Sequence, residues 1–347
     1  MFDATKFGSP CLQNPLADPS QHPDPEAPPP AEDCLFLNVF KPAGSAHNTP
    51  PPPLLPVMVW IHGGGFCIGA SSSSWYHGTD IAANQGVVVV TINYRLGPLG
   101  FLVKDDSGNG GMNGILDAVT ALRWVKTHIE SFGGDKDQIT IFGQSSGGSA
   151  VCSLSAMPLA RGLFRRAIVQ SGPCVGKWGP LPISQGLEIY DQLLANTATT
   201  NLQQLKMVNV SLVQWPSYLM NDLTIAPNFS GYFEDKSVLP APLAELYGSG
   251  GSQQSSLNPK EMIFGATSKD GTAAFYGTIP LYGNNTEDAY QKTISLIWGG
   301  SYSKTALAKI ARQYPTTKYY NSVQAALVQA DADEKVICPT HRLAHLA

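Results

Sequence analysis

The sequence predicts an α/β fold, a mostly parallel central sheet with helices on both faces. Three observations lead to it. The run "GVVVVTINY" is continuously apolar and β-branched, as expected of a strand buried on both faces of a parallel sheet. The segment "NGILDAVTALRWVKTHIESFGG" places Ile115, Val119, Leu122, Val125 and Ile129 at helical spacing. From Leu54 onward, strands and helices alternate, which builds a parallel sheet through crossover helices.

The elements follow in order. "LLPVMVWIH" reads as a short apolar strand that stops at a run of glycines. The helix after "GVVVVTINY" ends at Gly133, a natural C-terminal stop. "QITIFG" is the next strand and "GGSAVCSLSAM" the next helix. "RRAIVQSG" is a strand, "ISQGLEIYDQLLANT" a helix, and "EMIFGATS" a later strand. "VICPTHRLAHLA" has the apolar spacing of a helix. Residues 14 to 31 and 43 to 56 are rich in proline and read as loops or extended connectors.

Composition narrows the function. A chain of 347 residues, 43% hydrophobic, is ample for one large domain. The formal charge of −4, with no basic run or stripe, argues against nucleic acid as a partner. No apolar run approaches the ~18 residues of a membrane span, and "MFDATKFGSPC" lacks the apolar core of a signal peptide. Six cysteines in a chain this long leave room for one or two bridges without making a disulfide scaffold. Asn209, Asn228 and Asn284 head glycosylation sequons, a number that chance supplies in such a chain. Nothing in the sequence indicates a metal or an organic cofactor.

The chemistry concentrates in "TIFGQSSGGSAVC". Between a strand and a helix, Gly-x-Ser-x-Gly is the nucleophile elbow of α/β hydrolases. Small residues flank a tight turn that lifts the serine hydroxyl above the sheet. One frame fits, Gly143 to Gly147, and it puts the nucleophile at Ser145 rather than Ser146. Upstream, His62-Gly63-Gly64-Gly65-Phe66 follows the strand "VMVWI". Acyl transfer passes through an oxyanion that needs backbone N–H donors already in place, and such a glycine loop supplies them.

With these motifs the chain resembles the type-B carboxylesterase family, which includes cholinesterases and some fungal lipases. "EDCLFLNVFKP", "WIHGGGF", "INYRLGPLGFL", "ALRWVKTHIESFGGDKDQITIFGQSSGGSAV" and "AIVQSG" follow in the family's order. The resemblance implies an α/β-hydrolase fold over one domain, residues 1–347. It implies Ser145 as nucleophile, the amides of Gly64, Gly65 and Ser146 as the oxyanion hole, and Ser171 beside the triad. Arg95 and Asp117 match a buried ion pair bracing the sheet, and Cys11 and Cys34 match a bridge closing the first large loop. Cys67 and Cys152 are expected to be buried free thiols. The sequence departs from the pattern at Gln144 and Ser146, where the family usually has Glu and Ala. Losing that carboxylate should lower the pKa of the catalytic imidazole.

In this fold the acid and then the histidine follow the serine. "MIFGATSKDGTAAF" offers a strand and then Asp270-Gly271, and aligning the glycines with the family's "DEG" puts Asp270 on the acid. After Asp270 only His341 and His345 remain, both in the terminal helical segment. The resemblance places that segment ahead of the catalytic loop, so the histidine is expected beyond residue 347. By the same comparison the chain is expected to be incomplete at both ends, with its signal peptide missing. His62 belongs to the oxyanion loop, and His22, His47, His77 and His128 read as surface or loop residues.

The expected activity is that of a serine carboxylic-ester hydrolase working through an acyl-enzyme. The alternatives are an inactive fragment of such an enzyme, or a non-catalytic relative that binds proteins. Proteins of the last kind usually lose the serine or the oxyanion glycines, and both are intact here. The loop between Cys11 and Cys34, "LQNPLADPSQHPDPEAPPPAED", cannot form the continuous amphipathic helix of a lipase lid, because its prolines forbid it. The expected substrates are therefore soluble esters with short to medium acyl groups.

Overall fold

The structure is a computed structural model. It describes residues 3–13, 24–43, 53–176, 179–214, 231–248, 257–270 and 285–347. Its centre is a six-stranded sheet of β1 (Leu37–Phe40), β2 (Leu55–Ile61), β3 (Val88–Ile92), β4 (Gly134–Gln144), β5 (Arg166–Gln170) and β6 (Glu261–Gly265) in the order β1-β3-β2-β4-β5-β6. β1 runs antiparallel to β3, and every other pairing is parallel. All five residues of β3 are buried, so both of its faces are covered, as its unbroken Val-rich sequence dictates. In β2 the fully buried side chains are Val57, Val59 and Ile61, the alternate positions of the pleat. β2 starts two residues earlier than its proline-rich approach suggests. Leu55 N donates to Gly133 O at 2.8 Å, which draws Leu55 and Pro56 into the sheet.

Between the strands lie α1 (Thr79–Gln85), α2 (Gly97–Phe101), α3 (Asn113–His128), α4 (Ser146–Ala156), α5 (Ile183–Asn196) and α6 (Leu243–Gly248). α3 buries Ile115, Val119, Leu122 and Val125, the stripe read from the sequence. It runs on into a short 3-10 turn that ends at Gly133 in the left-handed region, φ 84°. All eleven residues of α4 are buried, which its small side chains permit. After β6 come the helices α7 (Glu287–Trp298), α8 (Lys304–Gln313), α9 (Val323–Ala332) and α10 (Cys338–Leu346). Thr286, Ser303 and Ser322 cap α7, α8 and α9, each side-chain oxygen accepting from an amide in the first turn. α7 and α9 bury Tyr290, Ile294, Trp298 and Leu327 in an apolar cluster of their own. α10 packs against β6 and α6.

Disulfides join Cys11 to Cys34 and Cys152 to Cys174. The second corrects the expectation that Cys152 is a free thiol. Cys152 lies on α4 and Cys174 in the loop after β5, with Cα atoms 5.7 Å apart, well within bridging distance. Cys67 and Cys338 are free.

The register sets the position of the site. Ile61 aligns with Ile92 and Gly143, and Gln144 with Gln170, which aligns with Gly265. The C-terminal ends of β2, β4, β5 and β6 are therefore flush. The loops leaving them emerge along one edge, where ligands bind in open α/β sheets.

Candidate active site

Ser145 lies between the last residue of β4 and the first of α4 at φ 58°, ψ −127°, a strained conformation for a residue with a Cβ. Two backbone bonds hold it there. Ser145 N donates to Gln170 O at 2.9 Å, and Ser145 O accepts from Ser149 N at 3.0 Å. The turn is closed so tightly that a Cβ on Gly147 would lie 2.1 Å from Ile61 O and 2.7 Å from His62 O. The Gly-x-Ser-x-Gly spacing thus has a steric cause: the helix start must slide under the end of β2.

The glycine loop leaves β2 beside this turn. Gly64 (φ 110°), Gly65 (φ 63°) and Phe66 (φ 61°) are all in the left-handed half of backbone space. Gly64 O accepts from Cys67 N at 3.1 Å and Ile68 N at 3.0 Å, and Phe66 O accepts from Gly97 N at 2.8 Å. The Phe66 ring packs against Phe101 and Tyr232, with centroids 5.1 and 5.0 Å away. Among the described residues, the amides of Gly64, Gly65 and Ser146 have no hydrogen-bond acceptor. His62 is buried, stacks on Tyr94 at 4.4 Å and donates its Nδ1–H to Gly63 O at 2.8 Å. Burial pushes its pKa down to about 4, so the ring is neutral at physiological pH. Burial likewise pushes the Cys67 thiol up to about 12, which removes it as a nucleophile.

Two further loops complete the edge. Ser171 (φ 52°) follows β5, and its N–H donates to Gly265 O at 2.7 Å, tying the β5 and β6 exits together. After β6, Asp270 N donates to Thr267 O at 3.1 Å, and Thr267 N donates to Asp270 Oδ2 at 3.0 Å. Ser145, Ser171 and the Asp270 turn thus come from neighbouring strands in sequence along the sheet. Gln144, at the exposed end of β4, puts no charge beside Ser145. Among the described residues no hydrogen bond joins a histidine ring to Ser145 or Asp270. His341 and His345 are exposed on α10, as are His77 and His128 elsewhere. His22, His47 and Gly271 lie outside the described residues. Below the edge, Arg95 holds Asp117 through Nη2–H to Oδ1 at 2.7 Å and Nε–H to Oδ2 at 2.8 Å, with Arg95 N also donating to Oδ2. Tyr94 and Cys174 were not singled out from the sequence, although Tyr94 lies within the motif "INYRLGPLGFL".

A mostly parallel sheet, a strained serine at a strand-to-helix turn and a glycine loop beside it define a protein of the α/β-hydrolase class. The sequence pattern of the carboxylesterase family matches residues 1–347, and the chain belongs to that family. It is 47% identical over 174 residues to a para-nitrobenzyl esterase of Bacillus subtilis (strain 168), covering 50% of this chain and 34% of that protein. It is 47% identical over 174 residues to a cocaine esterase of Oryctolagus cuniculus, covering 49% and 31%. It is 44% identical over 184 residues to a bile salt-activated lipase of Bos taurus, covering 50% and 29%. The chain thus spans about a third of the curated relatives it matches. The solved structure of a PNB esterase superposes with a TM-score of 0.75 at 30% identity, covering 97% of this chain and 66% of that one.

Proposed function

We propose that the full-length protein is a serine carboxylic-ester hydrolase whose fold is one domain over 1–347, with Ser145 as its nucleophile. The observation that carries this reading is the strained backbone of Ser145 beside amides that lack acceptors. Ser145 Oγ attacks the ester carbonyl while an imidazole base takes its proton. The carbonyl oxygen gains negative charge and is held by the amides of Gly64, Gly65 and Ser146. The imidazole returns the proton to the departing alcohol, and water then repeats the sequence on the acyl-enzyme. Asp270 is the carboxylate that orients the imidazole, supported by its place on the loop after β6.

The proposed substrates are soluble esters of short to medium acyl chains. Support comes from the prolines between Cys11 and Cys34, although residues 14–23 of that loop lie outside the described ones. The two disulfides support synthesis through an oxidising compartment. No helix among the described residues is long and apolar enough to cross a membrane. The test is rate against tributyrin concentration through its solubility limit. A rate that saturates before droplets form is the expected result. A sharp rise only when droplets appear would replace this reading with that of an interfacial lipase.

A further inference from the structure

Tyr94 stands where the two halves of the proposed oxyanion hole meet. One half is the loop after β2, with the amides of Gly64 and Gly65. The other is the start of α4, with the amide of Ser146. These segments are far apart in sequence and have to agree in position to bind one oxygen atom. The Tyr94 side chain is buried, 2% exposed, and holds the His62 carbonyl that lies between them. Its hydroxyl donates to His62 O at 2.8 Å, at the root of the glycine loop. Its ring stacks on His62 with planes 19° apart, and its edge meets Phe66, the residue after the glycines, at 6.3 Å. On the other side, the start of α4 lies against the same carbonyl, since a Cβ on Gly147 would come within 2.7 Å of His62 O, and the buried Ser146 hydroxyl makes no hydrogen bond of good geometry. Burial also keeps the Tyr94 phenol protonated, pushing its pKa well above the ordinary value, so it remains a donor at every working pH.

We infer that Tyr94 is a positioning residue for the oxyanion hole: through its hydroxyl and ring it fixes the distance between the Gly64–Gly65 amides and the Ser146 amide. Among the described residues Tyr94 makes no hydrogen bond to Ser145, and its role is to act through the groups it holds. The inference rests on the ester-hydrolase reading and deepens it. Donors misplaced by a fraction of an ångström lose transition-state stabilisation while ground-state binding survives. The loss should fall in kcat and leave KM nearly unchanged. Its ceiling is the ~10²–10³-fold cost of deleting one oxyanion donor outright, and a shifted donor should cost about tenfold or somewhat more.

The test compares full-length wild-type protein with Tyr94→Phe, which keeps the ring and removes the hydroxyl. Hydrolysis of p-nitrophenyl butyrate and inhibition by a trifluoromethyl ketone, which mimics the tetrahedral oxyanion, are measured well below the Tm of both proteins. The expected result is a roughly tenfold fall in kcat, an equal loss of ketone affinity, and an unchanged KM. Equal kcat and ketone affinity in the two proteins would overturn the inference. So would a fall in kcat with no loss of ketone affinity. If Tyr94→Phe does not fold, Ser146→Ala takes its place, since it removes the neighbouring hydroxyl and keeps the amide. A loss of ketone affinity at constant KM then supports the joint, and unchanged affinity overturns it. Wild-type protein that neither turns over the ester nor binds the ketone would instead refute the hydrolase reading itself.

Discussion

His62 makes stability depend on pH in a way the structure lets us size. The ring is buried at 1% exposure against Tyr94, and its Nδ1–H is already committed to Gly63 O. Taking a second proton would place a charge among apolar and backbone groups, so its pKa falls from 6.5 to about 4. The folded state therefore resists a proton that the unfolded chain accepts. Above pH 6.5 both states hold a neutral ring and stability is fully present. As pH falls from 6.5 toward 4, the unfolded state binds the proton first and stability drains away. That interval, at 1.36 kcal/mol per pH unit, amounts to about 3 kcal/mol. The assay is urea unfolding across the interval for wild type and His62→Phe, which keeps the stacking and cannot titrate. Carboxylates common to both proteins cancel in the difference. Asp105, held at about 2 by the Ser107 and Asn109 side chains, loses its contribution only at lower pH. Wild type should lose about 3 kcal/mol relative to the variant on acidification. A difference that stays flat to within about 1 kcal/mol, less than a single pH unit is worth, would mean that the folded state does not resist protonation of His62.

Three further outcomes are expected. Gly147→Ala drives a Cβ into Ile61 O, backbone against backbone, and should cost at least ~1–3 kcal/mol by thermal or urea unfolding. Replacing Cys152 and Cys174 together by Ser opens a bridge of sequence separation 22 and should cost about 3 kcal/mol, while peptide mapping of native protein finds both cysteines linked. Gln144→Glu places a carboxylate next to Ser145; in the proposed mechanism this raises the pKa of the imidazole base, so the acidic limb of kcat/KM against pH should move to higher pH.

The sequence shows most clearly what a single physical pattern governs. Val88–Ile92 has only apolar and β-branched choices, and all five residues are buried. The stripe Ile115 to Val125 could face only the core, and it does. The elbow was legible because sterics leave few residue choices around Ser145. Other features were not. β1 (Leu37–Phe40) is a four-residue edge strand with every residue half-buried, too short and too mixed to show a period. α7 to α9 were missed because they pack chiefly on one another, a cluster that no strand pattern announces. The Cys152–Cys174 bridge depends on how closely α4 approaches the loop after β5, a tertiary fact with no local signal. Tyr94 falls in the same class: its role rests on two chain segments meeting around it.

Covalent labelling decides whether Ser145 is the nucleophile. Full-length protein is treated with a fluorophosphonate, and the adduct is located by peptide mass spectrometry, with Ser145→Ala as control. The prediction is one adduct per chain, on Ser145, with none in the control. An adduct on Ser146 or Ser171, or labelling that persists in Ser145→Ala, would place the nucleophile elsewhere.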